Sequence, residues 1–318
     1  MSFSLIKEQE EFISLLERSG KSFNTVKNYR ADLQCFNHFL ADKKNDFKLK
    51  EFTMTQVNEY AEYLLQKYPS ANSLRRRVQA LRLFFDFLVG KNLFPENPIK
   101  KMPVSPKVLD KPSPNTFSEV NKTYKHLVKR FNDAQGMGEL VALRNIILFH
   151  LIYGAGLKVS DLHFLKMNDV IKDKKGSRLL VQHPKRDPYS IPLPEVFSTD
   201  FKLYELKRKE YQVDMDELFF NANAYKIISP TLSPRGIELI FEELSRQLGF
   251  KMTAKTLRQS CIFKWMIQRQ PPSTIKEWLG VAPQYSMELY LQVFDEQQEI
   301  MVFKDLSDSL IELPSQKR

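Results

Sequence analysis

The fold of this chain is decided by residues 254–260, which read AKTLRQS. Lys255 and Arg258 lie three positions apart, and on a helix this spacing places both cations on one face, about one turn apart. Tyr290 follows, at the end of the stretch SMELY (residues 286–290). Two cations and a phenol, late in a basic chain without a metal-binding motif, indicate chemistry at a phosphate group.

The length and composition of the chain set the class of protein. Its 318 residues predict two domains, each large enough to bury its own core. Hydrophobic residues make up 42% of the chain, which is typical of a globular protein. The formal net charge is +10, and both halves share the excess of Lys and Arg. This charge favours a polyanionic partner such as nucleic acid, the alternative being a mildly basic domain that binds none.

The cysteines and the hydropathy pattern indicate a cytoplasmic protein, associated with the nucleoid if it is bacterial. Cys35 and Cys261 both lie in helix-like segments, which argues against a disulfide framework and for a reducing compartment. We find neither a signal peptide nor an apolar run long enough to span a membrane. There is no zinc-like Cys/His spacing and no glycine-rich phosphate loop, so we predict no metal and no cofactor.

Residues 1–102 have the pattern of a four-helix domain. Apolar residues recur at helical spacing in 4–18, in a segment that Ser22 caps, in 53–67, and in a helix that begins at Ser70 or Ser73 and ends at Gly90. A basic set could contact DNA phosphates along a groove, or it could form solvated helix faces. Its members are Lys27, Arg75, Arg76, Arg77 and Arg82.

A proline-rich stretch, 103–114, predicts an extended linker to a second domain at 115–318. There we expect helices near 116–131, 140–152 and 159–165, and two short strands at 179–182 and 189–193. A basic turn with Lys185 and Arg186 joins the strands. Further helices are expected near 199–210, 231–247, 254–268, 273–279, 284–295 and 303–311.

Three stretches in this second domain resemble the signature boxes of the tyrosine recombinases, the phage-integrase family. Residues 254–260 resemble the family's His-x-x-Arg box, and LGV at 279–281 resembles the Leu-Gly-His that precedes the nucleophilic tyrosine. LIYGAGLKVSDL at 151–162 resembles the upstream box that holds the first catalytic arginine. The resemblance implies a mainly α fold: an N-terminal four-helix (SAM-like) core-binding domain, then an α-rich catalytic-type domain with a small β-hairpin.

The resemblance also implies a role for each matching residue. Tyr290 would be the nucleophile and Arg258 a phosphate clamp, with Lys255 in place of the box histidine. Lys158 takes the place of the first arginine, and Asp161 matches the acidic residue that buttresses it. Lys185 matches the general acid, with Arg186 as its rival for that position. Val281 replaces a histidine and donates no hydrogen bond, and Gln259 replaces a histidine expected to be structural.

Three functions are compatible with these residues. The first is an active site-specific recombinase or integrase, and the second is a catalytically silent relative that binds DNA as a regulator or architectural protein. The third, a helical interaction protein that does not bind DNA, fits the basic layout least well. The substitutions at 158 and 281 predict impaired catalysis. We expect double-stranded DNA as partner, no membrane, and a homo-oligomer (a tetramer on paired sites) or a partner recombinase.

Overall fold

The hydrophobic residues form two main cores, one within Met1–Asp110 and one within Lys111–Arg318. The computed structural model describes residues 4–42, 52–102, 111–173, 176–183, 186–223, 225 and 227–297. The fold is mainly α with small antiparallel sheets, as predicted. Within the described ranges, no helix combines the length and apolar composition needed to cross a membrane.

The described part of the N-terminal unit contains four α-helices close to their predicted bounds: α1 (Leu5–Arg18), α2 (Phe23–Asp42), α3 (Met54–Lys67) and α4 (Ala71–Gly90). The hydroxyl of Ser22 accepts a hydrogen bond from the Thr25 N–H at the start of α2. At the start of α4 the cap is Ser70, whose hydroxyl accepts from the N–H of Ser73. The sequence left Ser70 and Ser73 as alternative starts of this helix, and the structure shows that Ser70 is the cap.

Aromatic rings fill the core of this unit. Phe36 of α2 is fully buried, and its ring packs edge-on against Tyr60 of α3 and Phe85 of α4, with centroid distances of 5.2 and 6.1 Å. Truncating such a buried Phe to Ala typically costs about 3–5 kcal/mol of folding free energy. Non-local aromatic contacts therefore help to hold the three helices together.

The C-terminal unit is organised around α6 (Met137–Tyr153), which is buried on nearly all sides. Helices α5 (Phe117–Asp133), α8 (Glu195–Glu210) and α10 (Ala254–Ile267) pack on it. The remaining helices are α7 (Val159–Leu162), α9 (Pro234–Leu248), α11 (Pro272–Trp278) and α12 (Glu288–Gln297). The predicted helix near 303–311 lies outside the described residues.

An antiparallel sheet of order β1-β2-β3 joins the helices, with β1 at Val170–Asp173, β2 at Gly176–His183 and β3 at Arg186–Pro192. Strands β2 and β3 form the predicted hairpin, with Val181 opposite Tyr189 and His183 opposite Arg186. The sequence did not predict β1, nor the two-stranded sheet of β4 (Phe220–Ala222) and β5 (Ile228–Pro230). Segments of three or four residues are too short to show strand alternation.

Several predicted helix bounds need correction. Helix α6 begins at Met137 instead of 140, and α9 begins at Pro234 instead of 231. Helix α8 begins at Glu195, directly after Pro194 and four residues before its predicted start. Helix α7 ends at Leu162, where a turn from the Leu165 N–H to the Leu162 carbonyl follows it. Helix α12 begins at Glu288 because Pro283 lies in a turn, and the Ser286 hydroxyl then accepts from the Glu288 N–H.

Candidate active site

Arg258 lies on α10 and reaches the loop that follows α6. Leu257 and Cys261 bury the core-facing side of α10, which leaves Arg258 half-buried beside them. The Nε of Arg258 donates to the backbone carbonyl of Gly156 at 2.6 Å. This bond fixes the planar guanidinium relative to the loop and therefore to Lys158, two residues further on.

Residues 154–158 form a tight loop because small residues allow close packing. Gly156 has φ of +65°, and a Cβ at this position would lie 2.9 Å from the ring of Trp265. Lys158 is the N-cap residue of α7, and its backbone N–H donates to a carboxylate oxygen of the buried Asp161 at 3.2 Å. Asp161, which was predicted to support Lys158, thus accepts a hydrogen bond from the backbone of Lys158.

Tyr290 lies on α12 and faces α10. Its ring packs against Phe263, with centroids 6.2 Å apart. The pKa of the Tyr290 phenol is raised, mainly because burial disfavours the phenolate and also through Tyr285. The Arg258 guanidinium and a hydrogen bond with Gln259 act in the opposite direction. Tyr290 therefore lies on a helix that packs against α10, the helix that holds Arg258.

Gln259 is a member of this site that the sequence analysis took to be only structural. Its side chain is buried and its amide oxygen accepts from the backbone N–H of Ser113 at 3.0 Å. One sign in the sequence indicated that Gln259 belongs to the site: it directly follows Arg258, among apolar residues of a buried helix.

Lys255 is exposed on the first turn of α10. This turn is capped by Thr253, whose hydroxyl accepts from the Thr256 N–H. Lys255 lines a cavity of about 720 Å³ that also contacts Val159, Gln259 and Ser113. It therefore lies on the same side of α10 as the loop before α7, within an open concave surface.

The β2–β3 hairpin packs against the segment before Val281. Gly280 has φ of +56°, and a Cβ there would lie 2.3 Å from the ring of Tyr189 on β3. Val281 is partly buried against the core and donates its N–H to the Lys276 carbonyl. Lys185, the predicted general acid, and the side chain of Arg186 lie outside the described residues.

The basic residues predicted to contact DNA in the N-terminal unit have different surroundings. Lys27 is exposed on α2, whereas Arg75 is half-buried on α4. The Arg76 guanidinium, 40% exposed, pairs with Asp32 at 2.8 Å and donates to the Asn28 carbonyl. Burial raises the pKa of Asp32 to about 6, against the opposing effects of Arg76 and Arg77.

Arg77 and Arg82 use their guanidinium groups inside the N-terminal unit. Arg77 lies over the Tyr68 ring at 3.5 Å, and its side chain is 12% exposed. Arg82 donates to three carbonyl oxygens, those of Ile99, Lys100 and Met102. Both arginines thus stabilise the fold of this unit through contacts that their position in a charge run did not indicate.

No group of three or more His, Cys, Asp and Glu side chains that could hold a metal ion occurs in the part of the chain that the structure describes.

Known proteins resemble the chain over nearly its whole length. Residues 10–92 match the family model "Phage integrase, N-terminal SAM-like domain". The tyrosine recombinase XerC of Pediococcus pentosaceus is 28% identical over 282 residues, which cover 86% of this chain and 89% of XerC. The tyrosine recombinase XerA of Pyrococcus furiosus is 28% identical over 284 residues, covering 89% of this chain and 88% of XerA.

Solved structures share the fold. A XerH site-specific recombinase bound to a palindromic difH substrate superposes with a TM-score of 0.69 at 18% identity, covering 90% of this chain and 83% of XerH. A lambda integrase(75–356) dimer bound to a COC′ core site gives 0.67 at 16% identity, covering 90% of this chain and 97% of the integrase. The matched sequences support the tyrosine recombinase (phage integrase) family for this chain, and the solved structures share its fold.

Proposed function

We propose that this chain binds double-stranded DNA and cuts and rejoins its strands through a covalent 3′-phosphotyrosine at Tyr290. The observation that carries the proposal is the packing of Tyr290 on α10, the helix that holds Arg258, whose guanidinium is fixed on the loop that leads to Lys158. A nucleophile beside two cations is the arrangement that phosphoryl transfer without a metal requires. The relatives support this function, since they are tyrosine recombinases.

The proposed reaction is a pair of transesterifications. The phenolic oxygen of Tyr290 gives up its proton to the solvent and attacks the phosphorus, while the bond from phosphorus to the 5′ oxygen breaks. The leaving 5′ oxygen takes a proton from a general acid, for which Lys185 is the proposed residue. Arg258 and Lys158 stabilise the negative charge on the non-bridging oxygens. A 5′ hydroxyl then attacks the phosphotyrosine and restores the tyrosine.

We further propose that the reaction is slower here than in a site with the family's full set of residues. Lysine keeps a charge at position 158 but lacks the planar fork that binds two phosphate oxygens. Val281 supplies no donor at all. In a comparable electrostatic role, the loss of one donor lowers the rate by about 10²–10³.

The second candidate function is site-specific DNA binding without cleavage, in a regulatory or architectural role. The burial that raises the pKa of Tyr290 and the apolar packing of Val281 favour this alternative. Both candidates share the fold, the DNA partner and the phosphate-binding cations. They differ only in whether Tyr290 becomes covalently attached to DNA.

For the N-terminal unit we propose DNA contacts from Lys27 and Arg76. Arg76 donates to the carbonyl of Asn28, the neighbour of Lys27, so that the two cations lie on the same part of the surface. Arg75 lies on the same helix as Arg76, and we include it among the proposed DNA contacts. Arg77 and Arg82 are better explained as structural, because a phosphate would have to replace the stacking or hydrogen bonds that they already make.

We propose that the active form is an assembly of several copies on paired DNA sites, or of this chain with a partner recombinase. The support comes from the solved neighbours, which include a lambda integrase tetramer bound to a Holliday junction and a dimer bound to a core site. A partner could supply catalytic groups in place of those altered at Lys158 and Val281.

The function is tested by capturing genomic DNA fragments with the purified protein and then washing under denaturing conditions. We expect fragments to survive the wash with the wild type and not with Tyr290→Phe, which should still enrich the same fragments before the wash. Arg258→Ala should lower either binding or covalent capture. Fragments lost in the wash with both proteins would establish the silent DNA binder, and no enrichment with either would refute DNA binding.

A further inference from the structure

The C-terminal end of α6 is closed partly by its own loop and partly by a side chain from another helix. The last four carbonyls of an α-helix have no partner further along the helix and must find one elsewhere. In α6, three of these carbonyls accept from backbone N–H groups of the loop 154–158. The three bonds run from Gly154 to His150 (2.6 Å), from Gly156 to Ile152 (3.1 Å) and from Leu157 to Leu151 (3.2 Å).

The fourth carbonyl, that of Tyr153, accepts from Lys264 of α10. Lys264 lies in the last turn of that helix and is 3% exposed. Its Nζ donates to the Tyr153 carbonyl oxygen at 3.2 Å and lies 4.7 Å from the centre of the Tyr153 ring. A cation is favourable at both places, because the last carbonyls of a helix and the face of an aromatic ring each carry partial negative charge. Lys264 thus caps α6 from a neighbouring helix.

Two further side chains of α10 hold the same loop. The Nε of Arg258 donates to the Gly156 carbonyl at 2.6 Å. The ring of Trp265 lies so close to Gly156 that a Cβ there would be 2.9 Å from it. The loop is therefore held against α10 at its start and in its middle, and Lys158 follows directly after it.

We propose that Lys264 is a positioning residue: by capping α6 it fixes the loop that presents Lys158 to the DNA phosphate. As a statement about catalysis, this rests on the proposed function, in which Lys158 stabilises the charge on the phosphate. As a statement about the fold, it stands on the contacts of Lys264 alone. Removing the donor takes a hydrogen bond from a buried carbonyl, so the start of the loop should loosen.

Lys264 differs from the other cations near the site because it is too deeply buried to contact DNA. Its side chain is enclosed in the protein, whereas Lys158 and Arg258 are half-buried. A phosphate can therefore reach those two residues and not Lys264. The loss of Lys264 should lower the rate of the reaction and leave the affinity for DNA nearly unchanged.

Amide hydrogen exchange, followed by NMR on the full chain without DNA, tests the cap directly. Lys264→Met keeps an unbranched side chain and removes the donor. We expect it to speed the exchange of the Gly156 and Leu157 N–H groups by about tenfold, because both donate to the end of α6. Amides of α9 are the internal control and should change less, since they report the stability of the unit as a whole. Lys264→Arg, which keeps a donor and a positive charge, should retain most of the protection.

Circular dichroism establishes that each variant is folded. If Lys264→Met does not fold, Lys264→Gln is measured in the same way. It keeps a neutral donor on a shorter side chain, so the same two amides should exchange faster by a smaller factor. Exchange of Gly156 and Leu157 at the wild-type rate in the folded variant would refute the cap.

A double-mutant cycle with Lys158 then tests whether Lys264 acts through that residue. The rate of covalent DNA capture is measured at saturating DNA. Lys264→Met should lower it by about tenfold in the chain that has Lys158 and have little further effect in the Lys158→Ala chain, because the residue that it positions is then absent. Lys264→Arg should restore the rate.

Equal losses of rate with and without Lys158 would show a general structural role and would overturn the positioning role. A weaker affinity of Lys264→Met for DNA, at an unchanged rate when DNA is saturating, would do the same. If the wild type forms no covalent complex, the proposed function fails, and the exchange measurement still decides whether Lys264 holds the loop.

Discussion

Lys158 is the residue at which this site departs most from the family's pattern. Its backbone is held by Asp161, and the preceding loop is held by Arg258, so the position of the side chain is set by the fold. What changes is the shape of the cation: an ammonium offers a point charge where a guanidinium offers a flat fork. The site keeps the charge at this position and lacks bidentate geometry.

We therefore expect Lys158→Arg to increase the initial rate of covalent DNA capture by about tenfold or more, since one donor in this role is worth about 10²–10³ in rate. Lys158→Ala is the control and should lower the rate. The rates are measured with saturating DNA, so that binding does not contribute. An arginine variant slower than the wild type would show that the site is built around the ammonium and would contradict this interpretation.

Sequence patterns identified the residues with local signatures and missed the partners that lie far along the chain. Arg258 and Tyr290 were predicted from spacing and resemblance, and they lie on two helices that pack together. Gln259 was missed because its partner Ser113 is 146 positions away. The stacking of Arg77 on Tyr68 and the three carbonyls at Arg82 are likewise set by packing, which a charge run does not show.

The same limit applies to whole elements. Long helices were predicted because apolar residues repeat over several turns, whereas β1, β4 and β5 are too short to show a period. The β2–β3 hairpin was predicted, but the position against which it packs was not. Gly280 has a positive φ and touches the Tyr189 ring, so it connects the hairpin to the turn between α11 and α12.

Gly280→Ala tests this connection. The new methyl group would overlap the Tyr189 ring at 2.3 Å, in addition to the cost of about 1–2 kcal/mol for a side chain at positive φ. Gly249→Ala is the matched control, because Gly249 also has a positive φ, +75°, but no atom lies within 4 Å of its added Cβ. Thermal unfolding followed by circular dichroism should show a larger loss of stability for Gly280→Ala.

The double variant Gly280→Ala/Tyr189→Ala separates the two causes, since the glycine substitution should cost less stability when the ring is absent than when it is present. Equal stability of Gly280→Ala and Gly249→Ala would show that the ring gives way at no cost and that this contact does not position the hairpin.

At the scale of the whole molecule, the positive charge is spread over two units that each have their own core. If both units contact phosphates, each neutralised phosphate releases counterions. The logarithm of the binding constant then falls with the logarithm of the salt concentration, by about 0.9 per contact. The slope of this plot therefore counts phosphate contacts independently of any base-specific contact.

We expect Lys27→Gln and Arg76→Gln each to reduce the magnitude of this slope by about 0.9, measured by fluorescence anisotropy on a DNA duplex at several salt concentrations. The control is Arg235→Gln, which removes the same charge from a residue of α9 that is exposed and paired with Glu238 and Glu242. It should lower affinity slightly and leave the slope unchanged. If all three variants have the same slope as the wild type, α2 and α4 carry no phosphate contacts at these positions. Lys27 and Arg76 would then affect DNA binding only through the net charge of the protein, which all three variants lower by the same amount.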